Sequence, residues 1–211
     1  MNLLDDLDQV IASAAGPVVL VGHSLGGSIS LRFAGLYPDK VQKIVAIEGL
    51  GPSPKMIAER GSKTMSDRVR DWVDEQRKLS GRLPRRYPTI EDAFKRMQEE
   101  NDHLSAEQAR HLTEQGVNQN EDGTYSWKFD NYVRVNPPYD MSYPEIEKLW
   151  TQITCPTLLI YGKESWASNP EKDGRIGHFK TAKGVEFEGA GHWVHHDKLA
   201  EFLGVVRDFL K

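Results

Sequence analysis

Serine becomes a useful nucleophile only when a neighbouring base takes its proton, and two short stretches of this 211-residue chain carry residues suited to that chemistry. The first is Gly22-His23-Ser24-Leu25-Gly26, which lies between an aliphatic run, Val18 to Val21, and a segment that reads as a helix, Ser24 to Tyr37. A serine on a sharp strand-to-helix turn sits in a strained backbone conformation, with small residues at Gly22 and Gly26 letting strand and helix pass closely. Its hydroxyl then projects from the end of the sheet. The helix N-terminus adds a positive partial charge, and the Leu25 N–H becomes a candidate donor to a developing oxyanion. The plain alternative is a glycine-rich turn with no chemistry. The second stretch, Gly189-Ala190-Gly191-His192-Trp193, argues against that, because its glycines suit a loop that swings an imidazole toward a nucleophile. A neutral imidazole with a pKa near 6.5 accepts a serine proton at pH 7. His23 is expected to line the pocket rather than act as the base, since adjacency in sequence points it away from Ser24. His195 and His196 complete a His-x-x-His-His pattern with His192. Catalytic zinc usually takes three protein ligands, and the spacing continues more simply into a helix opening at Asp197, so no metal or other cofactor is expected.

The elements around these stretches alternate. Residues 2 to 11 put Leu3, Leu7, Val10 and Ile11 on one helical stripe. Val18 to Val21 reads as a strand buried on both faces of a parallel sheet, the helix from Ser24 closes at Pro38-Asp39, and Lys43 to Ile47 is a second buried strand. Residues 18 to 47 are therefore one βαβ unit, and the fold class is α/β with a mostly parallel sheet and flanking helices. The pattern breaks at Gly51-Pro52-Ser53-Pro54 and stays charged and helical to about Trp150. Within it Val69, Trp72, Val73 and Leu79 form one stripe, Thr89 to Asp92 and Ser105 to Gln108 read as capping boxes, and Ile146, Leu149 and Trp150 mark a last helix. Tyr125 to Phe129 is too short to classify. Strands return at Thr157 to Tyr161 and Gly184 to Glu188, and a final helix from Asp197 to Leu210 carries Leu199, Phe202, Leu203, Val206, Phe209 and Leu210 on its inner stripe.

Serine first, histidine last and a helical insertion between them resemble the α/β-hydrolase family over most of the chain, Gly22 to Gly26 matching its nucleophile elbow and Gly191-His192 its histidine loop. The resemblance implies a hydrolase core at 1–51 and 151–211 and a cap at 52–150 that roofs the pocket and sets substrate choice. It offers two places for the carboxylate that orients the histidine. One follows the strand ending at Tyr161, where Gly162-Lys163-Glu164-Ser165 leaves serine in the usual aspartate slot. The other is the tip of the strand after the nucleophile helix, where Glu48 stands beside the edge at which such sheets hold ligands. Glu48 is the expected acid; Glu164, Asp173, a water-mediated arrangement or no acid at all are the alternatives. The family's early strands, and the loop giving a second oxyanion N–H, have no counterpart before residue 18. The expectation is an N-terminally truncated chain with weakened activity and an exposed apolar strand edge. The implied activity is carboxylesterase-like hydrolysis of an ester, thioester or related carbonyl bond of a small molecule through an acyl-serine. A noncatalytic small-molecule binder or an inactive fragment on the same fold is the alternative.

Composition narrows the partners. A net charge of -4 with interleaved basic and acidic residues gives no footprint for nucleic acid. No apolar run reaches the roughly 18 residues that a bilayer span needs, so no membrane partner is expected. Met1 to Val10 contains Asp5, Asp6 and Asp8 and no basic residue, unlike a secretory signal, which points to a cytoplasmic protein. The single cysteine, Cys155, permits no internal disulfide and reads as a small buried residue. Oligomeric state is not legible.

Overall fold

A computed structural model describes residues 2–61, 63–80, 82–101, 104–130, 132, 135 and 141–211. It forms two compact units, Met1–Ser62 with Asp140–Lys211, and Lys63–Tyr139. In the first, strands β1 (Val18–His23), β2 (Val41–Ile47), β5 (Thr157–Gly162) and β6 (Ala182–Phe187) form one sheet in the order β1-β2-β5-β6. Every pairing is parallel, with His23 opposite Ile47, Ile47 opposite Ile160 and Gly162 opposite Phe187. The C-terminal ends of the strands therefore share one edge of the sheet. The fold is that of an α/β protein, as the βαβ pattern requires.

Residues alternate between the faces of each strand. Leu20, Ile44, Ala46 and Leu159 pack on one side with Ile11 of helix α1 (Asn2–Ile11), Leu31, Phe33 and Ala34 of α2 (Leu25–Leu36) and Trp150 of α7 (Tyr143–Trp150). Val45, Ile47, Leu158, Ile160 and Phe187 pack on the other with Val194 of α8 (Val194–Asp197) and Phe202 and Val206 of α9 (Leu199–Leu210). That second layer stops short of β1, so Val19 and Val21 are 40% and 54% exposed. The expectation of a strand buried on both faces is corrected here: β1 is an edge strand with one covered face. Leu199 and Leu210 likewise lie outside the inner stripe expected of the last helix and are exposed.

Helix α7, assigned from the sequence to the insertion, belongs to the first unit, as does α3 (Pro54–Gly61). The reason is packing: Leu149 and Trp150 are buried, and a side chain at Gly35 would meet the Leu149 carbonyl oxygen at 2.5 Å, so glycine lets α2 and α7 touch. The second unit holds α4 (Met65–Leu79), α5 (Ile90–Glu100), α6 (Ala106–Gly116) and a hairpin of β3 (Val117–Gln119) with β4 (Tyr125–Trp127). Thr89 and Ser105 do open α5 and α6 with reciprocal capping boxes. The hairpin resolves the unclassified stretch at Tyr125, and its Val117 joins Tyr87 and Ala93 in a small core. Among the described residues no helix is long and apolar enough to cross a membrane.

Candidate active site

Ser24 follows the last residue of β1 and precedes α2 with φ 53° and ψ -115°. This is left-handed backbone for a residue with a side chain, a strained state that persists only when its surroundings dictate it. They do. Its N–H donates to the Ile47 carbonyl at 2.8 Å and its carbonyl accepts the first helical bond from Ser28 at 3.0 Å. A Cβ at Gly22 would lie 2.5 Å from the Gly26 carbonyl carbon and oxygen, and one at Gly27 would lie 2.7 Å from the Gly49 Cα. Gly26 itself faces open space, so the close approach expected of it falls to Gly27. The Ser24 hydroxyl does not cap α2, which leaves it available for chemistry. Leu25 occupies the first position of that helix, where a backbone N–H has no partner within the helix.

Glu48 extends one residue beyond β2, with φ 53° and a side chain wholly removed from solvent. Its own N–H donates to the Ile160 carbonyl at 2.7 Å, which fixes the turn. The carboxylate is satisfied by three donors. Oε1 accepts from the Gly162 N–H at 2.7 Å, and Oε2 accepts from Ser165 Oγ at 2.7 Å and meets His192 Nδ1 at 3.3 Å. An ionised carboxylate only accepts, so it selects the imidazole tautomer with the proton on Nδ1 and leaves the Nε2 lone pair free. Among the candidate acids, the structure brings Glu48 to His192 and sends the others elsewhere. Glu164 accepts from the Gly189 N–H, and Asp173 is taken by Arg175 and Ser168.

His23 packs against the loop that carries His192. Its Nε2–H donates to the His192 carbonyl at 2.8 Å, and its ring packs 4.7 Å from that of His192 and 4.8 Å from those of Trp193 and His195. These contacts tie His23 to the histidine loop. His195 and His196 lie in ring contact at 4.5 Å, and no group of three or more histidine, cysteine, aspartate or glutamate side chains among the described residues is arranged to hold a metal. Burial is the main cause that lowers His195 from the ordinary 6.5 to about 4, and burial also lowers His23.

These shifts carry a stability prediction. A histidine depressed in the folded state binds its proton more readily when unfolded, so stability is whole above about pH 6.5 and is lost as pH falls toward 4. The urea midpoint is expected to drop between pH 7 and pH 5, and to drop less in His195→Gln. Equal drops in the two proteins would show that His195 is not the group responsible.

The site consists of a strained serine, a histidine and a buried carboxylate at one edge of a parallel sheet. The model of the alpha/beta hydrolase family matches residues 1–205. The chain belongs to the alpha/beta hydrolase family. Among its relatives, "Esterase YbfF" of Escherichia coli is 27% identical across 99% of this chain and 72% of its own length. "Serine hydrolase-like protein" of Danio rerio is 25% identical across 91% of this chain, which spans 60% of that protein. "sn-1-specific diacylglycerol lipase ABHD11" of Mus musculus is 26% identical across 92% of this chain and 59% of its own. In fold, the chain superposes on "hypothetical protein PA1622" of Pseudomonas aeruginosa PAO1 with a TM-score of 0.80 at 20% identity, covering 100% of this chain and 73% of that one. It also superposes on "Thioesterase Domain From Curacin Biosynthetic Pathway" with a TM-score of 0.73 at 23% identity, covering 97% and 70%.

For a member of this family, Ser165 and Trp166 are the residues that sequence reasoning passed over. Ser165 stands in the sequence as a missing aspartate, and Trp166, exposed by 59%, places its ring 5.1 Å from His192. The serine in the aspartate slot was the available signal. A hydroxyl in place of a carboxylate implies that the acid stands elsewhere and needs a donor.

Proposed function

We propose that this alpha/beta hydrolase cleaves an ester, thioester or related carbonyl bond of a small molecule through an acyl-serine intermediate, with Ser24 as nucleophile, His192 as base and Glu48 as orienting acid. The observation that carries this reading is the bond between buried Glu48 Oε2 and His192 Nδ1, which readies Nε2 to accept a proton at the edge where the strained Ser24 stands. Relatives named as an esterase and as a lipase support the ester as substrate.

In the first half-reaction His192 Nε2 takes the Ser24 proton as Oγ attacks the substrate carbonyl. Negative charge gathers on the carbonyl oxygen, where the Leu25 N–H and the positive end of α2 stabilise it. The resulting imidazolium is stabilised by Glu48 across Nδ1. Collapse of the tetrahedral intermediate expels the alcohol or thiol, which leaves with the proton from Nε2, and the acyl group stays on Oγ. Water then attacks the acyl-serine with His192 again as base, releasing a carboxylic acid and restoring Ser24. No residue here is asked to bind a metal or an organic cofactor.

The test is fluorophosphonate labelling of the purified chain with peptide mass mapping, alongside release of p-nitrophenol from acyl esters. An adduct on Ser24 that is absent in His192→Ala is the expected result. A folded chain that takes no label would overturn the reading in favour of a noncatalytic small-molecule binder.

A further inference from the structure

The loop after β5 does more than leave the sheet. Lys163 N–H donates to the Phe187 carbonyl at 3.0 Å and Glu164 N–H to the Ala190 carbonyl at 3.0 Å. The Glu164 carboxylate accepts from the Gly189 N–H at 3.1 Å. Three bonds thus tie residues 163 and 164 to the segment that ends in His192. The next residue, Ser165, donates from Oγ to Glu48 Oε2, and that same oxygen faces His192 Nδ1. The direction of the Ser165 bond is fixed by the carboxylate, which can only accept, so the hydroxyl donates to Glu48 while Oγ accepts from the Ala167 N–H at 3.1 Å. Trp166 then lays its ring against His192.

A carboxylate with no solvent exposure depends entirely on such donors, and a hydroxyl donating to it removes one of its few rotational options. With Oε1 held by Gly162 and Oε2 held by Ser165, the plane of the Glu48 carboxylate is set before His192 arrives. We propose that Ser165 is a positioning residue of this site: its hydroxyl holds the Glu48 carboxylate in the orientation that locks the Nδ1–H tautomer of His192. The inference rests on the hydrolase reading given above, but its geometric core, the Ser165–Glu48–His192 chain, stands without turnover.

The experiment uses Ser165→Ala, Ser165→Val and Ser165→Thr in the full chain, with two readouts. The first is the rate of serine acylation by p-nitrophenyl acetate. It is expected to fall about 10-fold in the alanine and valine variants, as the loss of a hydrogen bond to a charged group predicts, with KM within about twofold of the parent. Threonine, which keeps the hydroxyl in nearly the shape of valine, is expected to restore the rate. The second readout is the His192 Nδ1–H resonance in protein labelled with ¹⁵N-histidine. It is expected to be sharp in the parent and in Ser165→Thr, and broadened by solvent exchange in the other two. Comparing threonine with valine separates the hydroxyl from packing, so a general loss of structure cannot imitate the result. Valine equal to threonine in both readouts would overturn the proposal. If the parent shows no esterase activity, the hydrolase reading fails, while the resonance still decides the role of Ser165.

Discussion

Glu48→Gln is expected to lower the rate of ester cleavage by roughly 10⁴-fold while leaving the chain folded, the loss typical when the orienting acid of a serine–histidine pair becomes an amide. The substitution is nearly isosteric, so the argument is about protons. Gly162 N–H, 2.7 Å from Oε1, requires an acceptor there, which assigns the amide oxygen of glutamine to that side. The amide NH₂ then faces Ser165 Oγ and His192 Nδ1. Ser165 adapts, because its hydroxyl can turn and accept. His192 can face a donor only by presenting a bare Nδ1, and a neutral imidazole with a bare Nδ1 carries its proton on Nε2. That nitrogen then has no lone pair for the Ser24 proton. Steady-state kinetics with p-nitrophenyl acetate measures the loss, and a urea midpoint close to the parent's shows that it is not unfolding. A fall of less than about tenfold would mean that Glu48 does not set the tautomer.

The second large effect is expected at Gly162, whose close contact with the histidine loop nothing in the sequence reveals. Its N–H is one of the donors to Glu48, and a Cβ there would lie 2.3 Å from the carbonyl oxygens of both Ala190 and Gly191. Backbone atoms have no rotamer to escape into, so Gly162→Ala forces the end of β5 and the histidine loop apart. One movement disturbs the acid and the base together. A displacement of about 1 Å costs roughly 10²-fold in rate, and overpacking of this kind destabilises by about 1–3 kcal/mol. Gly204→Ala in α9 is the matched control, since a methyl group there meets nothing within 4 Å and alanine favours a helix. The expected outcome is a lower urea midpoint and a much slower enzyme for Gly162→Ala, with the control at or above the parent in stability. Parent-like kinetics in Gly162→Ala would show that the two loops are free to separate without consequence.

What could be read before the structure was whatever depends on neighbours in sequence. The βαβ unit follows from the change of hydrophobic period between Val18 and Ile47, and Thr89 and Ser105 open helices because a cap is a contact over three residues. The order of Ser24 and His192, each in a glycine-bearing junction, marked the chemistry. The errors share a different cause. Val19 and Val21 have the residue types of a doubly buried strand, but exposure depends on whether the layer built from α9 reaches β1, and it does not. Helix α7 looks like a continuation of the charged insertion, but Gly35, more than a hundred residues earlier in the chain, is the surface it packs on. The carbonyl that holds His23 belongs to residue 192, a partner that its place in the motif does not reveal.

The sequence by itself determined the α/β class, the strand-to-helix turn that strains Ser24 and a short list of acids, because those follow from period, caps and small residues within a few positions of one another. Tertiary structure alone decided which acid meets the histidine. Glu48, Gly162 with Ser165, and His192 lie on three separate segments, and only the parallel register of β2, β5 and β6 brings their ends to one edge of the sheet, where a buried carboxylate must collect every donor within reach.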